Sequence, residues 1–164
     1  MTRCEGEEGF ILKSFSLNHR PIHHKGRVDM TIKESVFSIR PYEENDFPAI
    51  HQLNQEEGWT NLAAKQDETK SAWNHSQIAF VAERDGKVIA CVRGLTDGHV
   101  SLYVCELLVQ ANERGKGIGQ ALLVYVHELY PKTRLELLAS AASQSFYEKQ
   151  KFRPFYGFRK TMEE

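Results

Sequence analysis

The sequence predicts an α/β fold in which helices cover a mixed sheet. Short apolar runs with a period of two occur between residues 36 and 109 and again after residue 134, which is typical of strands. Segments with helical periodicity interrupt these runs. From residue 78 the order is strand hairpin, strand, helix, strand, helix and strand, which indicates a mixed sandwich rather than a doubly wound fold.

The first half of the chain contains one strand and two helices. Residues 36–40 alternate between apolar and polar side chains and are predicted as the first strand. Asp46 is placed to cap a helix that has Pro48 in its first turn and ends at Gly58. A second helix is predicted over residues 63–74, where three alanines occur.

The second half predicts a strand hairpin and a glycine-rich turn. Residues 78–83 and 87–93 are the hairpin strands, because residues 84–86 carry the Asp-Gly turn signal. A strand over residues 100–109 leads to the turn. The helix over residues 118–130 is apolar nearly all round and should lie against the sheet. The remaining predicted elements are a strand at 134–139, a helix at 143–149 and terminal strands at 152–158 and 159–162.

The N-terminal segment differs from the rest of the chain. Residues 1–29 sustain neither hydrophobic period. We predict that residues 1–34 form a loosely ordered extension or a start-site artefact with Met30 as the working initiator. A single functional domain is then predicted over residues 35–164, a length typical of one domain.

Composition excludes several classes of protein. The net charge of −1 gives no electrostatic support for binding nucleic acid. No apolar run approaches the roughly 18 residues of a membrane span, so no membrane association is predicted. Cys4, Cys91 and Cys105 are odd in number and lack metal-ligand spacing, which predicts reduced thiols in a cytoplasmic protein and no metal site.

The turn after residue 109 carries the clearest functional signal. Glycines recur at every second position from Gly115 to Gly119, with Lys116 among them, directly before a predicted helix. Glycine allows successive main-chain N–H groups to face one ligand, and a helix N-terminus adds unpaired donors. The spacing fits neither G-x-x-x-x-G-K-[ST] nor G-x-G-x-x-G. We predict an anion site of another type, with a plain flexible turn as the alternative.

Two segments resemble one family. Residues 114–119, Arg-Gly-Lys-Gly-Ile-Gly, resemble the R/Q-x-x-G-x-G/A acetyl-CoA motif of the GNAT N-acetyltransferase superfamily. Residues 140–152 are similar to its N-x-x-A-x-x-[LF]-Y-x-K-x-G-F segment, although Lys151 replaces the glycine and predicts a different turn. The resemblance implies a GNAT-like, mostly antiparallel mixed sheet of six to seven strands flanked by about four helices.

The resemblance also implies roles for particular residues. Acetyl-CoA would be the co-substrate, with its diphosphate on the N–H groups of the glycine-rich turn and its pantetheine arm along a strand that splays from its neighbour at a bulge. Tyr147 would be the general acid for the departing thiolate, with a core aromatic residue as the alternative. The implied acetyl-CoA-binding residues are Leu107, Leu108, Val109, Arg114, Gly115, Lys116, Gly117, Ile118, Gly119, Gln120, Ser140 and Ser143.

Three further residues are candidates for the acceptor side. Glu106 is charged within an apolar strand and is the candidate general base, with an outward-facing residue or a structural ion pair as the alternative. Asp97 could attract a substrate ammonium group. Trp59 is a candidate substrate wall or cation–π surface, and plain core is an equally good interpretation.

The predicted function is a cytoplasmic N-acetyltransferase that moves an acetyl group from acetyl-CoA to a primary amine. A small cationic metabolite, attacking directly in a ternary complex, is the favoured acceptor. The alternatives are a non-catalytic acyl-CoA-binding sensor and an interaction module. Neither nucleic acid nor membrane is an expected partner, and a homodimer is compatible with the family.

Overall fold

The computed structural model describes residues 27–32 and 35–162, and the structural statements below concern those residues. Their strands form one six-stranded sheet in the order β1-β2-β3-β4-β5-β6. Neighbouring strands are antiparallel except β5 and β6, which are parallel. The strands are β1 Val28–Ile32, β2 Ser35–Pro41, β3 Ile78–Arg84, β4 Lys87–Thr96, β5 Ser101–Val109 and β6 Arg134–Leu137.

The described residues contain five α-helices, whereas about four were predicted. The additional helix arises at Lys65, whose backbone (φ −100°, ψ 59°) is not helical and divides the predicted helix over residues 63–74. Short 3₁₀ turns at Glu44–Asp46 and Ala111–Glu113 precede α1 and the glycine-rich turn. The helices are α1 Phe47–Glu56, α2 Thr60–Ala64, α3 Gln66–His75, α4 Ile118–Leu129 and α5 Gln144–Lys149.

The sheet has an apolar layer on each face. On one face α4 lies against the sheet, as its apolar composition predicted, with Leu122 and Val126 fully buried. On the other face α1 and α3 pack through residues such as Ile50 and Trp73. Each such buried side chain contributes about 1.5–3 kcal/mol from removal of apolar surface from water. The two layers hold β3, β4 and β5 at the centre of the fold.

Both ends of the described chain differ from the prediction. Residues 28–32, assigned above to the extension, pair with residues 35–39 as β1, and Met30 lies opposite Phe37. The alternation Val-Asp-Met-Thr-Ile signals this strand but is only five residues long. Residues 1–26 of the predicted extension lie outside the described residues. At the other end, the predicted terminal strands are absent from residues 152–162; Pro154 cannot donate to a ladder there.

The turn that ends α5 also corrects the prediction. Lys151 adopts φ 64°, the left-handed conformation that glycine favours. Its N–H donates to the Glu148 carbonyl at 2.9 Å, and the Phe152 N–H donates to the Tyr147 carbonyl at 3.1 Å. The Tyr147 and Phe152 rings lie 5.6 Å apart. These are the bonds and apolar contact of a Schellman motif, so lysine makes the turn that glycine usually makes.

We predict that Lys151→Gly stabilises the protein. Glycine relieves a left-handed strain of about 1–2 kcal/mol, and its greater freedom in the unfolded chain offsets part of that gain. The free energy of unfolding, measured by urea denaturation, should rise by about 0.5–1 kcal/mol. Lys149→Gly, within helical α5, is the matched control and should lower it by a similar amount. Equal losses in both variants would contradict a left-handed Lys151.

Candidate functional site

A cleft opens where β5 and β6 separate. The two strands pair only from Ser101–Arg134 to Val104–Leu137, whereas β5 continues to Val109. The last five residues of β5 therefore have no strand on that side, which leaves the main-chain groups on that edge without a strand partner. The resulting cleft, about 2220 Å³ in volume, is lined by the end of β5, the glycine-rich turn and α5. This is the splayed strand that the family resemblance implied.

A β-bulge at Cys105 changes the faces of β5. Arg93 of β4 pairs with Glu106, and the next residue, Gly94, pairs with Val104, so Cys105 is the extra residue. A side chain at Gly94 would meet the Tyr103 carbonyl oxygen at 2.7 Å, which explains the glycine. Val104 therefore packs in the layer under α4. Glu106, two residues later, faces the opposite layer, towards α3.

The glycine-rich turn presents a row of unused main-chain donors, which we call the N–H row, from Gly115 to Gln120. Among the described residues, none of these N–H groups donates a hydrogen bond; the first helical bond runs from Ala121 to the Gly117 carbonyl at 3.0 Å. Gly115 and Gly117 have φ of 75° and 81°, and Gly117 is the N-cap of α4. Exposed donors at the positive end of a helix form an anion site.

Ion pairs fix the flanks of the N–H row. Glu113 accepts from Arg84 at 2.5 Å and from Lys116 at 3.2 Å. Burial pushes the pKa of Glu113 upward, but the bonds from Lys116 and Arg84 outweigh it and hold that pKa below its ordinary value. Arg114 pairs with Glu57 and donates through Nε to the Val109 carbonyl at 3.0 Å. Both predicted cations of the turn are therefore engaged by carboxylates.

Another part of the cleft lining carries the predicted residues of α5 and of the segment before it. The Ser143 hydroxyl accepts from the Ser140 N–H at 3.0 Å and lies 3.1 Å from the Ser140 hydroxyl, so the serines bond each other. Tyr147 lines the cleft between the rings of Phe146 and Phe152. Burial raises its pKa. No hydrogen bond within the described part of the chain uses its hydroxyl, which leaves it available as a donor.

Glu106 lines the cleft as part of a buried ion pair. Its Oε1 accepts from Arg93 Nε at 2.7 Å and lies 2.6 Å from Arg93 Nη2. Its Oε2 accepts from Trp73 Nε1 at 3.1 Å. Arg93 also donates to the Ser76 hydroxyl at 3.1 Å. Sequence reasoning missed the two partners of Glu106, because the register that places Arg93 opposite Glu106 depends on the bulge.

The structure places Trp59 in the lining of the cleft and Asp97 outside it. Trp59 precedes α2, lines the cleft and packs against the layer that contains α1. Asp97 lies in the turn between β4 and β5, at the other end of β5 from the N–H row, and is not part of the cleft lining. Its Oδ1 accepts from three successive N–H groups, at 2.7 Å from Val100, which lowers its pKa to about 2. The structure thus gives Asp97 a turn-forming position.

The fold and site define a class of protein. A sheet that splits beside a glycine-rich helix N-terminus is suited to binding an extended ligand that carries a diphosphate. Residues 75–154 match the model of the Acetyltransferase (GNAT) domain. The matched region is a GNAT acetyltransferase domain, the domain of acyltransferases that use acetyl-CoA as their co-substrate.

Solved structures share this fold. A GNAT-family acetyltransferase from Streptococcus pneumoniae TIGR4 has a TM-score of 0.66 and 22% identity, over 78% of this chain and 99% of that one. PaiA N-acetyltransferase from Thermoplasma acidophilum, in complex with coenzyme A, has 0.57 and 16%, over 70% and 87%. A metagenomic aminoglycoside acetyltransferase, in complex with sisomicin, has 0.58 and 16%, over 77% and 96%. No curated protein sequence matches the chain.

Two further structural findings concern membranes and metals. None of the helices in the described ranges has the length and apolar character needed to span a bilayer. Within the same residues, no three or more histidine, cysteine, aspartate or glutamate side chains are grouped so that they could hold a metal ion. Cys91 and Cys105 are both free thiols.

Proposed function

We propose that the protein is a cytoplasmic N-acetyltransferase that acetylates a primary amine of a small cationic metabolite by direct attack in a ternary complex. The N–H row at Gly115–Gln120, beside a cleft in the sheet, is the observation that carries this proposal. The row would bind the diphosphate of acetyl-CoA. The free edge of β5 after Val104 would bind its pantetheine arm. The free thiols Cys91 and Cys105 agree with a reducing compartment.

The free edge of β5 also supports a catalytic role for its main chain. Attack on a thioester places negative charge on the carbonyl oxygen, and a fixed N–H donor in a site of low polarity is worth about 3 kcal/mol. The bulge at Cys105 fixes the position of the following N–H groups relative to β4. Holding both substrates at this point replaces a bimolecular encounter with a local reaction.

Tyr147 and Glu106 supply the two proton transfers of the proposal. A primary amine must lose a proton before attack, and the thiolate must gain one when it departs. A tyrosine hydroxyl is protonated at neutral pH, as a general acid requires, and burial raises the pKa of Tyr147 further. Arg93 makes both its contacts to Oε1 of Glu106, whereas Oε2 accepts only the Trp73 bond and keeps capacity for a proton.

The acceptor is proposed from residues that line the same cleft as Glu106. Trp59 offers an aromatic face, and Glu57 and Glu106 line the same cleft. An aromatic face near carboxylates attracts an ammonium group. The second candidate function is a non-catalytic acyl-CoA-binding sensor, which the Arg93–Glu106 ion pair favours because it engages the carboxylate that would act as the base.

Tyr147→Phe separates these two functions. In an enzyme, loss of the hydroxyl should lower kcat about 100-fold, because the thiolate departs without its acid, while coenzyme A binding stays unchanged. The measurements are released thiol over a panel of amines and the calorimetric Kd for coenzyme A. Tyr156→Phe, at an exposed tyrosine, is the matched control. A sensor would show no turnover in any form, and unchanged kcat in Tyr147→Phe would refute the acid role.

Glu106→Gln tests the proposed base. Removing the charge should lower kcat/KM for the amine about 100-fold, because the amide cannot accept the proton, with the Kd for coenzyme A unchanged. The released-thiol assay on the best amine of the panel gives this value. Glu136→Gln, on exposed β6, is the matched control. A variant that loses stability but keeps kcat/KM would assign Glu106 to a structural ion pair instead.

A further inference from the structure

Arg84 contacts the segment that leads into the N–H row. It is the last residue of β3, and its Nη1 donates to Glu113 Oε2 at 2.5 Å. Its Nε donates to the Val36 carbonyl at 3.3 Å, which fixes the guanidinium against β2. Its Nη2 is buried and has no partner among the described residues. A buried donor without an acceptor is unfavourable, so this guanidinium has capacity for one further bond.

Glu113 is shared between Arg84 and Lys116. The Lys116 ammonium lies 3.2 Å from Oε2, the atom that also accepts from Arg84. No hydrogen bond to Oε1 occurs within the described residues. Lys116 stands inside the N–H row, so a diphosphate bound there would compete with Glu113 for its charge. A carboxylate so close to the row also repels an arriving anion unless another cation compensates it.

We propose that Arg84 is a positioning residue for acetyl-CoA binding, which holds Glu113 while Lys116 passes from that carboxylate to the diphosphate. When Lys116 moves away, the spare Nη2 of Arg84 can pair with the free Oε1 of Glu113, giving the two-bond geometry that arginine and carboxylate prefer. Arg84 then compensates the carboxylate beside the bound anion. This inference rests on the proposed diphosphate site.

A purely structural role, in which Arg84 only supports the turn, predicts a different pattern of changes in coenzyme A binding. If Arg84 only braced the turn through Glu113, removing either partner would weaken binding, and removing both would weaken it equally. In a transfer of Lys116, the two side chains have opposite effects. Glu113 restrains Lys116 and repels the anion, whereas Arg84 counteracts Glu113. Removing Glu113 should therefore rescue the loss of Arg84.

The experiment is calorimetric titration of the full-length protein with coenzyme A. Glu113→Gln should tighten binding by roughly 3–10-fold, because Lys116 is released and a repelling charge is removed. Arg84→Met should weaken it by about tenfold, because the uncompensated carboxylate keeps Lys116. The double variant should bind within about threefold of Glu113→Gln. Arg134→Met, at an exposed cation of β6 outside the cleft lining, is the control and should not change the Kd.

The possible results test the role of Arg84 and the diphosphate site separately. The proposed role of Arg84 would be overturned if Glu113→Gln bound coenzyme A more weakly than the wild type. It would also be overturned if the double variant bound coenzyme A as weakly as Arg84→Met. If Arg84→Met fails to fold, as circular dichroism would show, the direction of the change in Glu113→Gln alone decides. A wild-type protein that does not bind coenzyme A would contradict the diphosphate site itself. Binding by the wild type with no change in any variant would contradict only the transfer of Lys116.

Discussion

The separation of β5 from β6 after Val104 is the constraint on which the rest of the site depends. Parallel pairing up to that point anchors β5 in the sheet, and the bulge at Cys105 then turns its end towards the glycine-rich turn. Because the strand loses its neighbour there, main-chain donors and acceptors are left for a ligand, at a place where the layers on both faces keep the strand rigid. The cleft therefore forms at the point where the pairing of β5 with β6 ends.

Ion pairs then hold the charged side chains of the site in place. Two ion pairs lie close to the free strand end in the chain: Arg93 pairs with Glu106 within it, and Arg84 pairs with Glu113 in the turn that follows it. The Arg93–Glu106 pair is largely shielded from solvent, so removing one partner leaves a charge that costs several kcal/mol. These pairs compensate the carboxylates near the proposed diphosphate and acceptor positions. The main-chain N–H groups, which carry no net charge, are left as the proposed anion ligands.

Local patterns predicted most of the fold and the glycine-rich turn. The Asp-Gly hairpin, apolar α4 and the alternating glycines are short-range signals, so sequence alone located them. The partners of Glu106 could not be predicted, because a one-residue bulge decides which face it occupies. Asp97, predicted for the acceptor side, accepts three turn N–H groups and does not line the cleft, and neither fact can be predicted until the turn is known. Lys151 shows that tertiary contact overrides local preference.

Amide hydrogen exchange tests the central claim most directly. The N–H groups of the row should exchange rapidly in the free protein, because none of them donates a bond within the described residues. Saturating coenzyme A should slow exchange at Gly115–Gln120 by at least about tenfold, with the interior of α4 unchanged as internal reference. Slow exchange in the free protein, or exchange at the row that coenzyme A leaves unaltered, would contradict an anion site built from these main-chain groups.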